Sequence, residues 1–150
     1  MIKILVASGV NLDLLGVREP EVYGTKNLSD MEHLLKARVR ELSLGPKVQI
    51  DFFQSNDISK YLSILDQKYQ WTILNPGAWT HTSLALRDRI LGLGIDIIEV
   101  HCSKPSERES FREFSYIKDI AIKNFSGNGI GSYLDALNYI LLKHHFIESN

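Results

Sequence analysis

Cysteine occurs once in the 150 residues, at position 102. No intramolecular disulfide can form, so a disulfide-stapled scaffold is excluded and a reducing, cytoplasmic setting is the natural expectation. Charge of either sign is also in short supply as an excess: 17 Lys and Arg stand against 18 Asp and Glu, for a net charge of −1. Without a basic surplus there is no electrostatic footprint for nucleic acid and no polybasic segment to hold a membrane surface. No apolar run is long enough to span a bilayer. The opening MIKILVASG is too short in apolar length before Gly9 and Asn11 for a secretory signal, and it reads as a first buried strand. Internal repeats, low-complexity tracts and linkers are missing too, which leaves one domain over residues 1–150 as the expectation.

What is present is an alternation of short apolar runs with longer amphipathic ones. Strands are predicted over Ile2–Ala7, Val48–Phe53, Trp71–Leu74, Ile95–His101 and Asp119–Phe125. The first helix is expected from a capping box of Ser29 and Glu32, with Gly45 and Pro46 as its stop. Further helices are expected over Asp57–Gln67, Leu84–Leu93 (ended by Gly94) and Gly131–His145. Strands separated by helices imply parallel pairing with right-handed crossovers. The expected fold is therefore α/β: a flavodoxin-like, doubly wound, five-stranded parallel sheet in three α/β/α layers. Two long irregular stretches, Gly9–Lys26 and Ser103–Lys118, follow strands and so fall on the rim where such sheets bind ligands.

The stretch IDIIEVHCS, Ile95–Ser103, is an apolar strand that ends in Glu99, His101 and Ser103. Alternation puts these three on one face, and a carboxylate beside an imidazole raises its basicity and fixes its orientation. That suits a proton donor, although a histidine ending a strand is more often a hydrogen-bonded structural residue. Other apparent motifs carry less. Gly127, Gly129 and Gly131 follow the last strand, with Ser132 where a dinucleotide fingerprint needs its final glycine. His33, His81, His144 and His145 have no metal spacing. Cys102 points to the opposite face from His101 and reads as a buried filler rather than a nucleophile. Trp71 and Trp79 carry no spacing signal.

Blocks on the candidate rim carry a resemblance when taken together: SGVNLDLLGVREPEVYG, FFQSN, NPGAWTHTSLALRD, EVHCS and RESFREFSY. In this order and spacing, over essentially the whole chain, they resemble the type II 3-dehydroquinate dehydratases. The resemblance implies a lyase without metal or cofactor that dehydrates 3-dehydroquinate to 3-dehydroshikimate in the shikimate pathway, through an enolate. It implies Tyr23 as the base, acting as tyrosinate, with Arg18 and Arg108 stabilising negative charge. Asn11 would hold a water on the enolate oxygen, and His101, oriented by Glu99, would be the acid. Asn75 and the backbone at Cys102 and Ser103 would bind the substrate carboxylate, His81 and Arg112 the ring hydroxyls. Asp88 would reach a neighbouring subunit's site in a homo-oligomer, a dodecamer of four trimers.

Read singly, these residues have plainer uses: Asn75 before Pro76 as a turn, His81 as a helix cap, Arg112 paired with Glu109 or Glu113. The chain also departs from the family pattern at Val10, Asp13 and Trp79, and Lys104–Glu107 replaces the usual stretch before Arg108. Glu107 adds a negative charge there. The rival class is a flavodoxin-like or receiver-like binding module. A receiver needs an acidic residue ending a central strand, where this chain offers Asn75 and His101. In a flavin carrier, Arg18–Tyr23 would have no task.

Overall fold

The computed structural model describes residues 1–149. Its strands are β1 (Ile2–Ser8), β2 (Val48–Gln54), β3 (Trp71–Asn75), β4 (Ile97–His101) and β5 (Lys123–Ser126). They form one five-stranded sheet in the order β2-β1-β3-β4-β5, and every neighbouring pair is parallel. That is the flavodoxin-like order expected from the alternation of strands and helices. The order reverses between β1 and β3, where Ser8 lies opposite Asn75, and ligands in such sheets bind at the carboxyl ends beside this switch point.

Because both faces are covered, the central strands carry apolar residues on both faces rather than on alternate positions only, with polar residues concentrated toward their carboxyl ends. Ile4, Val6, Ile73, Ile98 and Val100 face one side. There they pack under α2 (Leu28–Glu41) and α6 (Gly131–Lys143) through Met31, Leu35, Ala136, Leu137 and Ile140. Leu5, Ala7, Leu74 and Ile97 face the other side, against Tyr61 and Leu65 from α3 (Ile58–Ile64) and its end and Leu86 and Ile90 of α5 (Leu84–Leu93). Completing the set are α1 (Pro20–Tyr23) and α4 (Trp79–Thr82), four residues each.

Several element boundaries differ from expectation for local reasons. The capping box of α2 is formed by Asn27 and Asp30, whose side chains each accept the other's backbone N–H at 2.9 Å, and not by Ser29 and Glu32. Starting earlier extends the helix while still satisfying two orphan donors. Helix α3 stops at Ile64 rather than Gln67 because Asp66 accepts the Lys68 N–H at 2.8 Å, a local turn that competes with the helix. The last strand starts at Lys123 rather than Asp119: Asp119 is taken by Arg87, and the backbone from Ile117 to Ala121 closes a turn. Trp79 packs on Tyr61, with ring centroids 5.1 Å apart.

Candidate active site

The site grows out of the switch point. Gly9, directly after β1, donates its N–H to the Asn75 carbonyl at 2.7 Å. A Cβ on Gly9 would lie 2.5 Å from the Pro76 carbonyl oxygen, so only glycine lets the two strand ends come this close. Beside them Asn11 adopts a left-handed conformation, φ 66°, and its N–H donates to the Asn56 side chain at 2.8 Å. Gln54 adds bonds to the Gly9 carbonyl and to Asn56, both at 3.2 Å. The FFQSN block therefore clamps the first loop, a task the sequence reading assigned to no residue.

Asn75 is 3% exposed, and its amide nitrogen donates to the Tyr133 hydroxyl at 2.9 Å while its oxygen accepts the Gly77 N–H at 3.1 Å. Ser8 meets the same hydroxyl at 2.9 Å. Burial holds the Tyr133 phenol well above the usual tyrosine range, so Tyr133 serves as a neutral hydrogen-bonding post under Asn75.

At the end of β4, His101 and Glu99 form the pair anticipated from the alternation, with Nε2 donating to Oε2 at 2.6 Å. A carboxylate accepts only, so Nδ1 is left as the nitrogen that can exchange a proton with a ligand. Glu99 is 3% exposed. Burial opposes its ionisation, but the bond and charge of His101, with the Thr80 and Ser115 hydroxyls, outweigh burial and hold its carboxyl below the usual range. The His81 ring stacks on His101 with centroids 6.4 Å apart. Its Nδ1 donates to the Phe114 carbonyl at 2.6 Å, which leaves Nε2 available. Cys102 is buried beside them, and burial pushes its thiol up to about 12. The carbonyls of Cys102 and Ser103 accept the N–H groups of Gly129 and Gly127 at 3.0 and 3.1 Å. The glycines that failed as a dinucleotide fingerprint thus pin the turn after His101.

Over this floor lies the first loop. Tyr23, at the end of α1, receives a hydrogen bond from Arg108 Nη1 at 2.7 Å. Both guanidinium groups also approach its ring: the central carbon of Arg108 is 5.0 Å, and that of Arg18 5.1 Å, from the ring centroid. Glu19, itself in a left-handed conformation with φ 41°, lies 3.5 Å from Arg18 and 3.9 Å from Arg108. Lys104 answers Glu107 at 3.2 Å, so the extra acidic charge in the divergent stretch is paired locally.

These groups line a cleft of about 570 Å³, counting its open mouth. Every proposed site residue borders it except two. Glu99 lies behind His101, and Asp88 is exposed on α5, away from the cleft of its own chain. Arg112 borders the cleft and also bonds Glu109 at 2.7 Å. Thr80, Ser115 and Tyr133 escaped the sequence reading. Only the position of Thr80 and Ser115 inside the matched blocks could have pointed to them. Among the described residues no three His, Cys, Asp or Glu side chains gather as a possible metal site, and no helix is long and apolar enough to cross a membrane.

A strand-end cleft that combines an imidazole–carboxylate pair with a tyrosine under two guanidinium groups defines an α/β protein equipped for proton transfer on an anionic ligand. The model of the family "Dehydroquinase class II" matches residues 2–141. A 3-dehydroquinate dehydratase of Methylococcus capsulatus is 44% identical over 149 residues, covering 97% of this chain and 98% of the relative. One from Alkalilimnicola ehrlichii is 41% identical over 145 residues, covering 94% and 93%. The crystal structure of a type II dehydroquinase from Propionibacterium acnes superimposes with a TM-score of 0.84 at 30% identity, covering 93% of this chain and 96% of that one. The chain belongs to the class II dehydroquinase family.

Proposed function

We propose that the protein is a 3-dehydroquinate dehydratase that uses Tyr23 as base and His101 as acid. The observation that carries this reading is that Tyr23 with its arginine, and His101 with its carboxylate, border one cleft. The phenolate of Tyr23 takes the proton from the carbon next to the ketone, and the electron pair moves onto the ketone oxygen as an enolate. The enolate then collapses, and the tertiary hydroxyl leaves as water with the proton from His101 Nδ1. One C–H and one C–O bond break, one C=C bond forms, and a proton passed from Tyr23 back to His101 restores the starting state. The hydrogen bond from Arg108 favours the phenolate over the phenol, and Arg18 over the ring face adds positive charge where negative charge develops. Asn11 holds a water at the enolate oxygen.

The remaining groups grip the ligand in its ground state. Asn75 and the backbone at Cys102 and Ser103 take the carboxylate, His81 and Arg112 the ring hydroxyls. The reaction needs no metal or cofactor, because a tyrosinate and an imidazolium can carry both proton transfers. Incubation of the pure protein with 3-dehydroquinate, followed in the ultraviolet for the conjugated enone, tests the activity directly. Tight copurification of a flavin without enone formation would favour the binding-module reading.

The same reading includes a homo-oligomer built from trimers, in which Asp88 reaches the cleft of a neighbouring copy. It is supported by exposed Leu84, Phe111 and Phe114, at 54%, 69% and 61% exposure, and by an open groove lined by Leu84, Phe114 and Tyr116. A cytoplasmic site of action completes it, supported by the lone, buried, unpaired thiol. Recovery of the native protein in a secreted fraction would contradict that assignment.

A further inference from the structure

We propose that Thr80 and Ser115 are positioning residues whose hydroxyls fix the Glu99 carboxylate against His101; this rests on the reading of His101 as the acid. Glu99 Oε2 faces His101 Nε2 at 2.6 Å, Thr80 Oγ1 at 2.5 Å and Ser115 Oγ at 2.9 Å. Ser115 also reaches Oε1 at 3.2 Å, and the two hydroxyls lie 2.8 Å apart. An ionised carboxylate accepts from the imidazole N–H and from the hydroxyls without competition, whereas a protonated acid would place a hydrogen of its own among them.

The hydroxyls are themselves aimed by the backbone. Ser115 Oγ accepts the Ile117 N–H at 3.2 Å, which turns its own proton toward Glu99. Thr80 is fully buried, and its carbonyl accepts the Tyr116 N–H at 2.8 Å. That bond ties α4 to the segment carrying Ser115.

The pair needs this support because burial works against it. A carboxyl group at 3% exposure gains by becoming neutral, and it would do so by taking the Nε2 proton of His101, which leaves the imidazole neutral and its Nδ1–H a weaker acid. Two hydroxyl donors oppose that transfer without adding charge. Among the described residues, His101 is the one titratable group that bonds the Glu99 carboxylate. Tyr61 from α3 is fully buried, and burial holds its phenol above the usual range. His81, Arg112, Glu113 and Lys118 border the adjoining cavity, but His81 bonds Phe114 and Arg112 bonds Glu109.

The test uses Thr80→Val, which keeps the shape and removes the donor, and Ser115→Ala, singly and combined. The Glu99 carboxyl is followed by carbon-13 NMR against pH, with its signal assigned through Glu99→Gln, and kcat is measured over the same pH range. Glu99 titrates below its ordinary range, so losing the donors raises its folded value and the acid limb of kcat must move to higher pH. A shift of about one pH unit or more in the double variant is expected, with kcat lowered about tenfold or more at neutral pH and KM nearly unchanged. Thr80→Ser should restore both.

Folded variants with a wild-type Glu99 titration and pH profile overturn the proposal. Should Thr80→Val fail to fold, Ser115→Ala decides alone, in the same direction and with a smaller shift. A wild-type chain that does not dehydrate 3-dehydroquinate, yet whose Glu99 titration moves in the variants, overturns the functional reading and supports this one.

Discussion

Arg108 donates from Nη1 to the Tyr23 hydroxyl across 2.7 Å, joining the loop after β4 to the loop after β1 although the two residues are 85 positions apart. The bond reaches the atom that would carry the phenolate charge, whereas Arg18 lies over the ring face and faces Glu19 at 3.5 Å. Arg108, with its side chain at 14% exposure against 36% for Arg18, is also the better shielded from solvent.

Arg108→Ala is accordingly expected to lower kcat about a hundredfold or more, the scale of losing one charge-stabilising donor. Arg18→Lys should also be impaired, to a smaller extent, because an ammonium keeps the charge but not the delocalised, planar guanidinium that lies 5.1 Å from the ring centroid. Steady-state kinetics of the two variants decide the order. Near-normal turnover in Arg108→Ala would show that the hydrogen bond to Tyr23 is not used in the reaction.

Tyr133→Phe removes the hydroxyl shared by Ser8 and Asn75 at 2.9 Å each. The Asn75 amide is then left without that partner in a buried position, at a cost of about 1–3 kcal/mol. A lower midpoint in urea denaturation is expected, together with a raised KM as Asn75 loses its orientation. Unchanged stability would mean that a water replaces the phenol without loss.

His101→Ala should lower turnover by about a hundredfold to ten-thousandfold, the usual contribution of a general acid. Cys102→Ser should change it little. The Cys102 thiol is buried and held near 12, and only its backbone borders the ligand in the proposed scheme. Comparable losses in both variants would assign the thiol a role that this scheme denies it.

Much of this architecture is legible in the amino-acid sequence. The order and parallel pairing followed from apolar runs alternating with amphipathic segments, because mostly apolar stretches such as Ile4–Ala7 suit strands covered on both faces. The Glu99–His101 pair followed from period two along one strand. Less legible was what depends on loops meeting. Arg108 over Tyr23, Asn56 under Asn11, and Thr80 with Ser115 around Glu99 join separate rim segments, and no local periodicity encodes such encounters. Helix starts and stops misled where two capping patterns overlapped, as with Asn27 and Ser29, or where a side-chain turn at Asp66 intervened. Asp88 stands apart from the cleft of its own chain.

An oligomer built from trimers should appear in sedimentation equilibrium at micromolar concentration, since closed symmetric assembly is the usual way to cover exposed apolar surface such as Leu84 and Phe114. Charge substitution at Phe114 should weaken it. A monomer under native conditions would count against both the assembly and the role given to Asp88.

The central claim, that Tyr23 removes the proton and His101 supplies one in a single cleft, is tested most directly by one assay on wild type and Tyr23→Phe. Purified proteins are mixed with 3-dehydroquinate and the conjugated enone is followed in the ultraviolet, with ligand affinity measured alongside by calorimetry. The account predicts steady enone formation by the wild type. It predicts loss of almost all turnover in Tyr23→Phe with binding of a substrate-like anion retained, since the base is deleted and the grips at Asn75, His81 and Arg112 remain. Enone formation by Tyr23→Phe at most of the wild-type rate would contradict it.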